Sequence, residues 1–333
     1  VLDSADWLEP VVMQTGDPDF ALVSGRSVIL RALVKSPQAG LPAPSVQLKV
    51  FDGNKQQLAI VSMTAPATIS STIDRTSIVG NYTFKLDSAW VRPGVSVEIV
   101  VNPVGLQNDP TPANNSLNLN PRVGPEVVMY ITAVPGSTQV EGTALLPKSG
   151  GGAAAIRQAI RSTVMAMYPV SDVKVRIHAP YTFNKATTMR ANWGVMLGEI
   201  NQLRIDEGNH GHYMGFIPHS PLGSTTTGNS FMPGTVSTMM GAKNLTNWGS
   251  GNSQHELGHN FGLGHVSCAP IGAETDLGYD AEQNAIVKFS DRKNMMSYCG
   301  PAWISRGNYL YTLAKFAKSG LDKPTADIIG EWQ

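Results

Sequence analysis

The sequence predicts an all-β sandwich followed by an α+β domain. Three observations point there. Apolar and polar residues alternate before residue 101, a Pro- and Asn-rich stretch fills residues 102–125, and beyond it strand-like runs alternate with stripes of helical period. A chain of 333 residues is long enough for about two domains of ordinary size.

The sandwich is read from its strands. In "SVQLKVF", residues 45–51, Val46, Leu48 and Val50 fall on one face and Gln47 and Lys49 on the other, the pattern of a half-buried strand. "NYTFKL" (81–86) and "VSVEIVV" (95–101) repeat it between turn pairs such as Pro93-Gly94. About six or seven such strands without a helical stripe suit an immunoglobulin-like sandwich. Residues 102–125, "NPVGLQNDPTPANNSLNLNPRVGP", read as a long loop or last strand running into a linker. The boundary is therefore placed near Gly124, with domains over 1–124 and 125–333.

In the second part "EVVMYITAV" (126–134) reads as a strand. "GGAAAIRQAIRSTVMAMYP" (151–169) puts Ile156, Ile160, Val164 and Met167 on one helical face before Pro169 stops it. "DVKVRIHA" (172–179) is a strand with Val173, Val175 and Ile177 inward, and Trp193, Met196, Leu197, Ile200 and Leu203 stripe a second helix that Gly208 can end. "HYMGFIP" (212–218) and "FMPGTVSTMM" (231–240) read as strands, and Tyr309, Leu310, Leu313, Phe316 and Ala317 mark a last helix. No internal repeat is visible.

Composition excludes whole classes of partner. Lys plus Arg and Asp plus Glu both number 25, so there is no basic excess for nucleic acid or anionic lipid. No apolar run reaches the ~20 residues of a membrane span. The chain opens on "VLDSADWLEP", which lacks the basic start and apolar middle of a signal peptide, so it reads as cytosolic or as a mature secreted chain. Its two cysteines, Cys268 and Cys299, can form one bridge, and a bridge points outside the cell. "NYT" at Asn81, "NNS" at Asn114 and "NLT" at Asn244 would accept glycans only in a eukaryotic secretory pathway.

Chemistry concentrates in residues 253–268, "SQHELGHNFGLGHVSC". His255 and His259 are four apart, so on a helix both rings reach one ion. Glu256 stands beside the first. Gly262 can end the helix with positive φ and return the chain so that His265 supplies a third nitrogen. Three neutral imidazoles leave the fourth position of a tetrahedral zinc open to water, the arrangement of a catalytic site. Zinc acidifies that water, Glu256 takes its proton, and the metal polarises the carbonyl under attack. With seven His and 33 Gly in the chain, the five fixed positions of HExxHxxGxxH arise by chance with a probability on the order of 10^-5. The bland alternatives are an amphipathic helix with Leu257 and Phe261 inward, and a capping box in which Glu256 reaches back to Ser253. Asn247, Ser250 and Asn252 are earlier caps that make the box unnecessary.

With "RKNMMSYCG" (292–300) downstream, "HELGHNFGLGH" resembles the metzincin clan of zinc endopeptidases, defined by the long histidine motif and a methionine turn beneath the metal. The resemblance spans roughly residues 126–320, and about 25 of them carry its motifs. "HELGHNFG" is similar to adamalysins and to secreted bacterial mucin-degrading peptidases of the StcE type, and "MSYCGPAWIS" (296–305) resembles secreted bacterial reprolysin-like metalloproteases. Val266 stands where adamalysins carry Asp, so the likeness is to the clan. It implies a metzincin-type domain with Met296 as the floor under the zinc and Tyr298 as a metal or oxyanion partner. A buried tyrosine with a satisfied hydroxyl is the alternative for Tyr298, and Met295 reads as a packing neighbour. Cys268 lies three residues past His265 and Cys299 three past Met296, so their bridge would tie the walls of the site together.

The other histidines carry less. His210 and His212 in "NHGHY" read as a solvated turn, His178 and His219 as exposed, and "TGDPDF" (15–20) as an Asp-Pro turn in preference to an inhibitory Asp17 or Asp19. The expectation is a secreted, monomeric zinc endopeptidase that holds a protein or glycoprotein substrate extended along an edge strand within "SFMPGTVSTMM" (230–240). Mucin-selective cleavage, a non-peptide zinc hydrolase and a binding protein or adhesin with a structural metal domain are the competing classes.

Overall fold

Alternation produces strands where it is strongest. In the computed structural model, which describes residues 1–102, 112–208, 210–218, 227–241, 252–319, 321, 323, 324 and 332, Val46, Leu48 and Val50 are buried and Gln47 and Lys49 only partly so. The described residues cluster into two compact units: Val1–Glu126 with Gly272–Asp291 and Ser305–Leu313, and Val127–Ile271 with Arg292–Ile304 and Ala314–Gln333.

The first ten strands are β1 (Leu2–Leu8), β2 (Val12–Gln14), β3 (Leu22–Ser24), β4 (Val28–Val34), β5 (Val46–Phe51), β6 (Gln57–Ser62), β7 (Tyr82–Leu86), β8 (Ser96–Val101), β9 (Ser116–Leu119) and β10 (Val123–Glu126). They form two four-stranded antiparallel sheets, ordered β2-β1-β4-β7 and β6-β5-β8-β9, and a parallel pair of β10 with β3. This part is all-β. The Pro- and Asn-rich stretch is more structured than a linker, because β9 completes the second sheet and β10 pairs with β3; residues 103–111 lie outside the described part. Asp17 ion-pairs with Arg306 at 2.7 Å and receives the N–H of Asp19 at 3.1 Å, which makes "TGDPDF" a braced turn. Glu9, 2% exposed, pairs with Arg26 at 3.2 Å and accepts the hydroxyl of Tyr309 at 2.8 Å, so a charge taken from water keeps partners.

The second unit is α+β. Its strands are β11 (Val128–Thr138), β12 (Gly142–Thr143), β13 (Asp172–Ile177), β14 (Tyr181–Phe183), β15 (His212–Ile217), β16 (Gly228–Ser230) and β17 (Val236–Met240). They make a seven-stranded sheet on the path β12-β11-β15-β17-β16, with β13 and β14 also on β11. β13 and β15 run parallel to β11 and β17 parallel to β15, and β16 turns back antiparallel to β17 to end the sheet. Parallel strands are covered on both faces, which is why all six residues of β15 are buried. Helix α1 (Gly152–Met165) buries Ile156, Ile160 and Val164, and α2 (Arg190–Asp206) buries Trp193, Met196, Leu197 and Ile200 against Val134, Tyr213, Ile217 and Val236. Helix α3 (Asn252–Asn260) follows β17, and α4 (Arg306–Ser319) is the last. Short pairs complete the list: β18 (Leu277–Asp280) with β19 (Ala285–Lys288), which belong to the first unit, and β20 (Lys293–Asn294) with β21 (Ala302–Trp303) in the second.

Three expectations are corrected. β17 is hydrogen-bonded on both sides, to β15 and β16, so the free edge lies in β16 and only Ser230 of the 230–240 stretch belongs to it. His212 does not sit in a solvated turn: it starts β15, is 3% exposed, and burial pushes its ring down to about 4. On α4 the inward face takes Thr312 and leaves Ala317 exposed, because the Thr312 hydroxyl is satisfied within the helix by the carbonyls of Asn308 and Tyr309, both at 2.9 Å. Among the described residues, no helix is long and apolar enough to cross a membrane.

Candidate metal centre

Helix α3 is built to present two rings on one side and core on the other. Leu257 and Phe261 are 0% and 2% exposed, and His255 and His259 emerge one turn apart with ring centroids 4.7 Å from each other. Gly262, at φ +87°, ends the helix: its N–H reaches His259 O at 2.8 Å and the next, Leu263 N–H, reaches Gly258 O at 2.9 Å. That pair of bonds is a Schellman motif, which only a residue at ease with positive φ can form cheaply. The Lys315 ammonium adds a bond to Phe261 O at 2.8 Å, a cation at the negative helix end. The chain then reverses and brings back His265.

The three Nε2 atoms form a near-equilateral triangle with edges of 3.1 Å (His255–His259), 3.0 Å (His259–His265) and 3.1 Å (His255–His265). Their tautomers follow from their other nitrogens. His255 Nδ1 lies 2.8 Å from Met295 O and His259 Nδ1 2.8 Å from Leu263 O; a carbonyl can only accept, so both Nδ1 atoms carry the proton. Each Nε2 of this pair therefore presents a lone pair. Burial pushes His255 down to about 4 and lowers His259 too, so neither ring relieves the crowding by protonation near neutral pH. Lone pairs 3.1 Å apart repel unless a cation lies among them. Three imidazoles, two of them with the second nitrogen fixed by a carbonyl, fit a divalent transition metal, and these residues are the group of ligand atoms close enough to hold an ion among the described residues.

Glu256 is 5% exposed. Its Oε2 accepts the hydroxyl of Ser230, and its Oε1 lies so close to Gly228 that a Cβ there would stand 2.1 Å away. Burial pushes the carboxyl up to about 7, against the pull of the Ser230 hydroxyl. The capping-box alternative does not form, since the carboxylate turns to β16 and not to Ser253. Asn247 and Ser250 lie outside the described residues, as do His219 and Asn244.

Two adjacent methionines pack behind the histidines of the helix. Met296 is fully buried, and its main-chain N–H bonds Asn294 Oδ1 at 2.9 Å. Met295 is buried as well, and its carbonyl is the one that orients His255. Tyr298 is 79% exposed, which rules out the buried-tyrosine alternative; its hydroxyl lies 2.9 Å from His265 Nε2. Val266 N–H bonds Met296 O at 3.2 Å, and the expected Cys268–Cys299 bridge is formed, with Cα atoms 5.6 Å apart. Elsewhere, His178 is held by Glu207 at 2.8 Å, a partly buried pair and not a free surface ring.

Several participants carry no signal in sequence. Ser230, Gly228, Lys315 and the carbonyls of Met295 and Leu263 act across the fold or through the backbone. Asn252, Glu256 and Asn260, spaced by four, are the exception: a polar stripe on a helix face is a readable hint that the face is bonded.

No family model matches the chain, and no curated protein matches it. Solved structures similar in part include a chaperone-substrate complex, at 12% identity over 71% of this chain and 38% of that chain, TM-score 0.31. A Paenibacillus sp. cycloisomaltooligosaccharide glucanotransferase complexed with cycloisomaltoheptaose matches at 13% identity over 65% and 27%, TM-score 0.25. A ligand-free PulA mutant from Klebsiella pneumoniae matches at 12% identity over 59% and 17%, TM-score 0.19. The chain thus spans less than two thirds of each of these proteins, and none of the likenesses bears on the site.

Proposed function

We propose that this chain is a secreted zinc endopeptidase of metzincin type, with an immunoglobulin-like sandwich ahead of its catalytic domain. The observation that carries this is the triangle of imidazole nitrogens with a buried, hydrogen-bonded glutamate on the adjacent residue. The metzincin resemblance of "HELGHNFGLGH" and "MMSY" supports it. His255, His259 and His265 hold the zinc, which when bound supplies Lewis acidity to a peptide carbonyl and makes water acidic near neutral pH.

The chain's own residues do the rest. Glu256 accepts the proton of the attacking water and returns it to the leaving amine, a role suited to a carboxyl pushed up to about 7. The carbonyls of Met295 and Leu263 hold two rings in the tautomer that presents Nε2. Tyr298 extends its hydroxyl beside His265, where it can donate to the oxyanion. The substrate, a protein or glycoprotein, lies extended along the edge of β16 and borrows main-chain hydrogen bonds from it. The disulfide fits an oxidising compartment, and the chain acts as a monomer.

The test is direct. Zinc-loaded protein is incubated with casein and with a mucin-like glycoprotein, with and without a chelator. Chelator-sensitive cleavage is expected, and Glu256→Ala keeps one zinc per chain while losing it. Cleavage of the glycoprotein alone makes the enzyme mucin-selective; no cleavage of either substrate by the zinc-loaded chain overturns the reading.

A further inference from the structure

The edge strand that would receive substrate also holds the proposed general base. Helix α3 turns one stripe, Asn252, Glu256 and Asn260, toward β16 and its flanks, and each member is bonded there. The Thr227 hydroxyl, one residue before β16, donates to Asn252 Oδ1 at 3.1 Å. Ser230 donates to Glu256 Oε2. Asn260 Nδ2 donates to Phe231 O and to Val236 O, both at 3.0 Å, and the main-chain carbonyl of Asn260 receives the N–H of Gly234 at 3.0 Å. β16 is thus fixed to α3 before, within and after its three residues.

Within that clamp the carboxylate has little choice of position. Residues 228 and 230 lie on the same face of a strand. Gly228 gives up its side chain so that Oε1, Cδ and Cγ of Glu256 can lie where a Cβ would be, at 2.1, 2.4 and 2.6 Å. Ser230, two residues on, fixes the other oxygen. Its neighbour Asn229 faces the opposite side, and the strand's backbone is tied to β17 in the register Gly228–Met239, Asn229–Thr238, Ser230–Ser237.

We propose that Ser230 is a positioning residue: its hydroxyl holds Oε2 so that Oε1 is the oxygen left for the water proton, and Gly228 provides the room this requires. The proposal rests on the peptidase reading and deepens it, because the base is carried by the strand whose free edge takes the substrate. A general base must lie within hydrogen-bond reach of the proton it removes, and a displacement of about 1 Å can cost about 100-fold in rate.

The test compares wild type, Ser230→Ala, Ser230→Thr and Gly228→Ala, each zinc-loaded and normalised to measured zinc. Ser230→Ala is expected to lower kcat by about 100-fold with KM changed less than about twofold, and Ser230→Thr to restore kcat to within about fivefold, since it returns the hydroxyl. Gly228→Ala is expected to fall as far as Ser230→Ala. A purely structural role for Ser230 would lower zinc content or raise KM and leave kcat per bound zinc unchanged, and that result overturns the proposal. So does a failure of threonine to rescue.

A second arm needs no activity. The side-chain carboxyl carbon of Glu256, assigned by NMR from the resonance lost in Glu256→Gln, should move in Ser230→Ala at fixed pH and return in Ser230→Thr. An unmoved resonance refutes the hydrogen bond itself. A wild-type chain that cleaves nothing while the resonance moves overturns the peptidase reading, and with it the catalytic part of the proposal, but not the bond.

Discussion

The sulfur of Met296 lies directly against the α-carbon of Gly258: a Cβ on that glycine would stand 2.3 Å from Sδ and 3.1 Å from Cε. The contact is possible only because residue 258, between the two histidines of α3, has no side chain. On helix propensity alone Gly258→Ala should stabilise by about 1 kcal/mol. Here Met296 is fully buried and the Tyr168 hydroxyl closes in from 3.3 Å, so overpacking of about 1 to 3 kcal/mol opposes that gain. Gly258→Ala is expected to lower Tm and weaken zinc binding at least tenfold. Adding Met296→Ala should recover part of both losses, which a double-mutant cycle measures. A single mutant more stable than wild type would mean that Met296 moves aside freely.

The Cys268–Cys299 bridge spans a sequence separation of 31 residues. Chain-entropy arithmetic gives about 3 to 4 kcal/mol for a loop of that size. The loop begins three residues past His265 and ends three past Met296, so its loss is expected to loosen both walls of the candidate metal centre. Cys268→Ser with Cys299→Ser is expected to lower the Tm of the second unit by on the order of 10 °C. Zinc affinity, followed by competition with a chromogenic chelator, should fall in parallel. Unchanged values for both would assign the bridge to the surface alone.

How much of this was legible follows from which interactions are local. Val46, Leu48 and Val50, and the stripes of α1 and α2, are set by period, and period survives in sequence. The three histidines were legible because helix spacing and one positive-φ glycine bring them together within eleven residues. His212 was misread because a strand buried on both faces loses its alternation, and a histidine starting it resembles a turn. Ser230 was unreadable, since its partner lies 26 positions away and nothing local marks it. Strand order has the same cause: whether β17 or β16 is the edge depends on pairings that hydropathy does not encode.

Glu141 gives a pH dependence of known sign. Burial pushes its carboxyl up, but the Thr187 N–H at 2.9 Å, the hydroxyls of Thr187 at 2.8 Å and Thr138 at 2.9 Å, and the Thr188 N–H at 2.9 Å outweigh it and leave it below the usual glutamate range. A carboxyl whose folded value is depressed adds stability that is complete above its unfolded value of about 4.3 and is lost as pH falls through the folded one. Its partners start the turn into α2, so the loss is local. Hydrogen-exchange protection of the Thr187 and Thr188 amides should stay constant from neutral pH down to about 5 and fall below about 4.3. Glu141→Gln is expected to flatten that profile. A wild-type profile already flat there would show that the four donors do not discriminate charge.

Tyr298 separates function from stability. Its ring is 79% exposed, so Tyr298→Phe removes a hydroxyl from a side chain that adds little to the core, and no measurable fall in Tm is expected. The hydroxyl nonetheless sits 2.9 Å from His265 Nε2 and its ring 5.8 Å from that of His255, beside the nitrogens proposed to hold the metal. In the proposed mechanism a donor in that place acts on charge that develops only in the transition state, and removing one such donor is expected to cost about 10² to 10³ in kcat. On that reading ground-state binding does not use it, so KM should change little. Zinc content should stay at one per chain, because three imidazoles remain. The measurement is kcat and KM on whichever substrate the wild-type chain cleaves, with Tm and zinc content taken on the same preparation. A mutant with full kcat would reduce Tyr298 to a surface neighbour of His265. One that loses zinc would make it a fourth ligand.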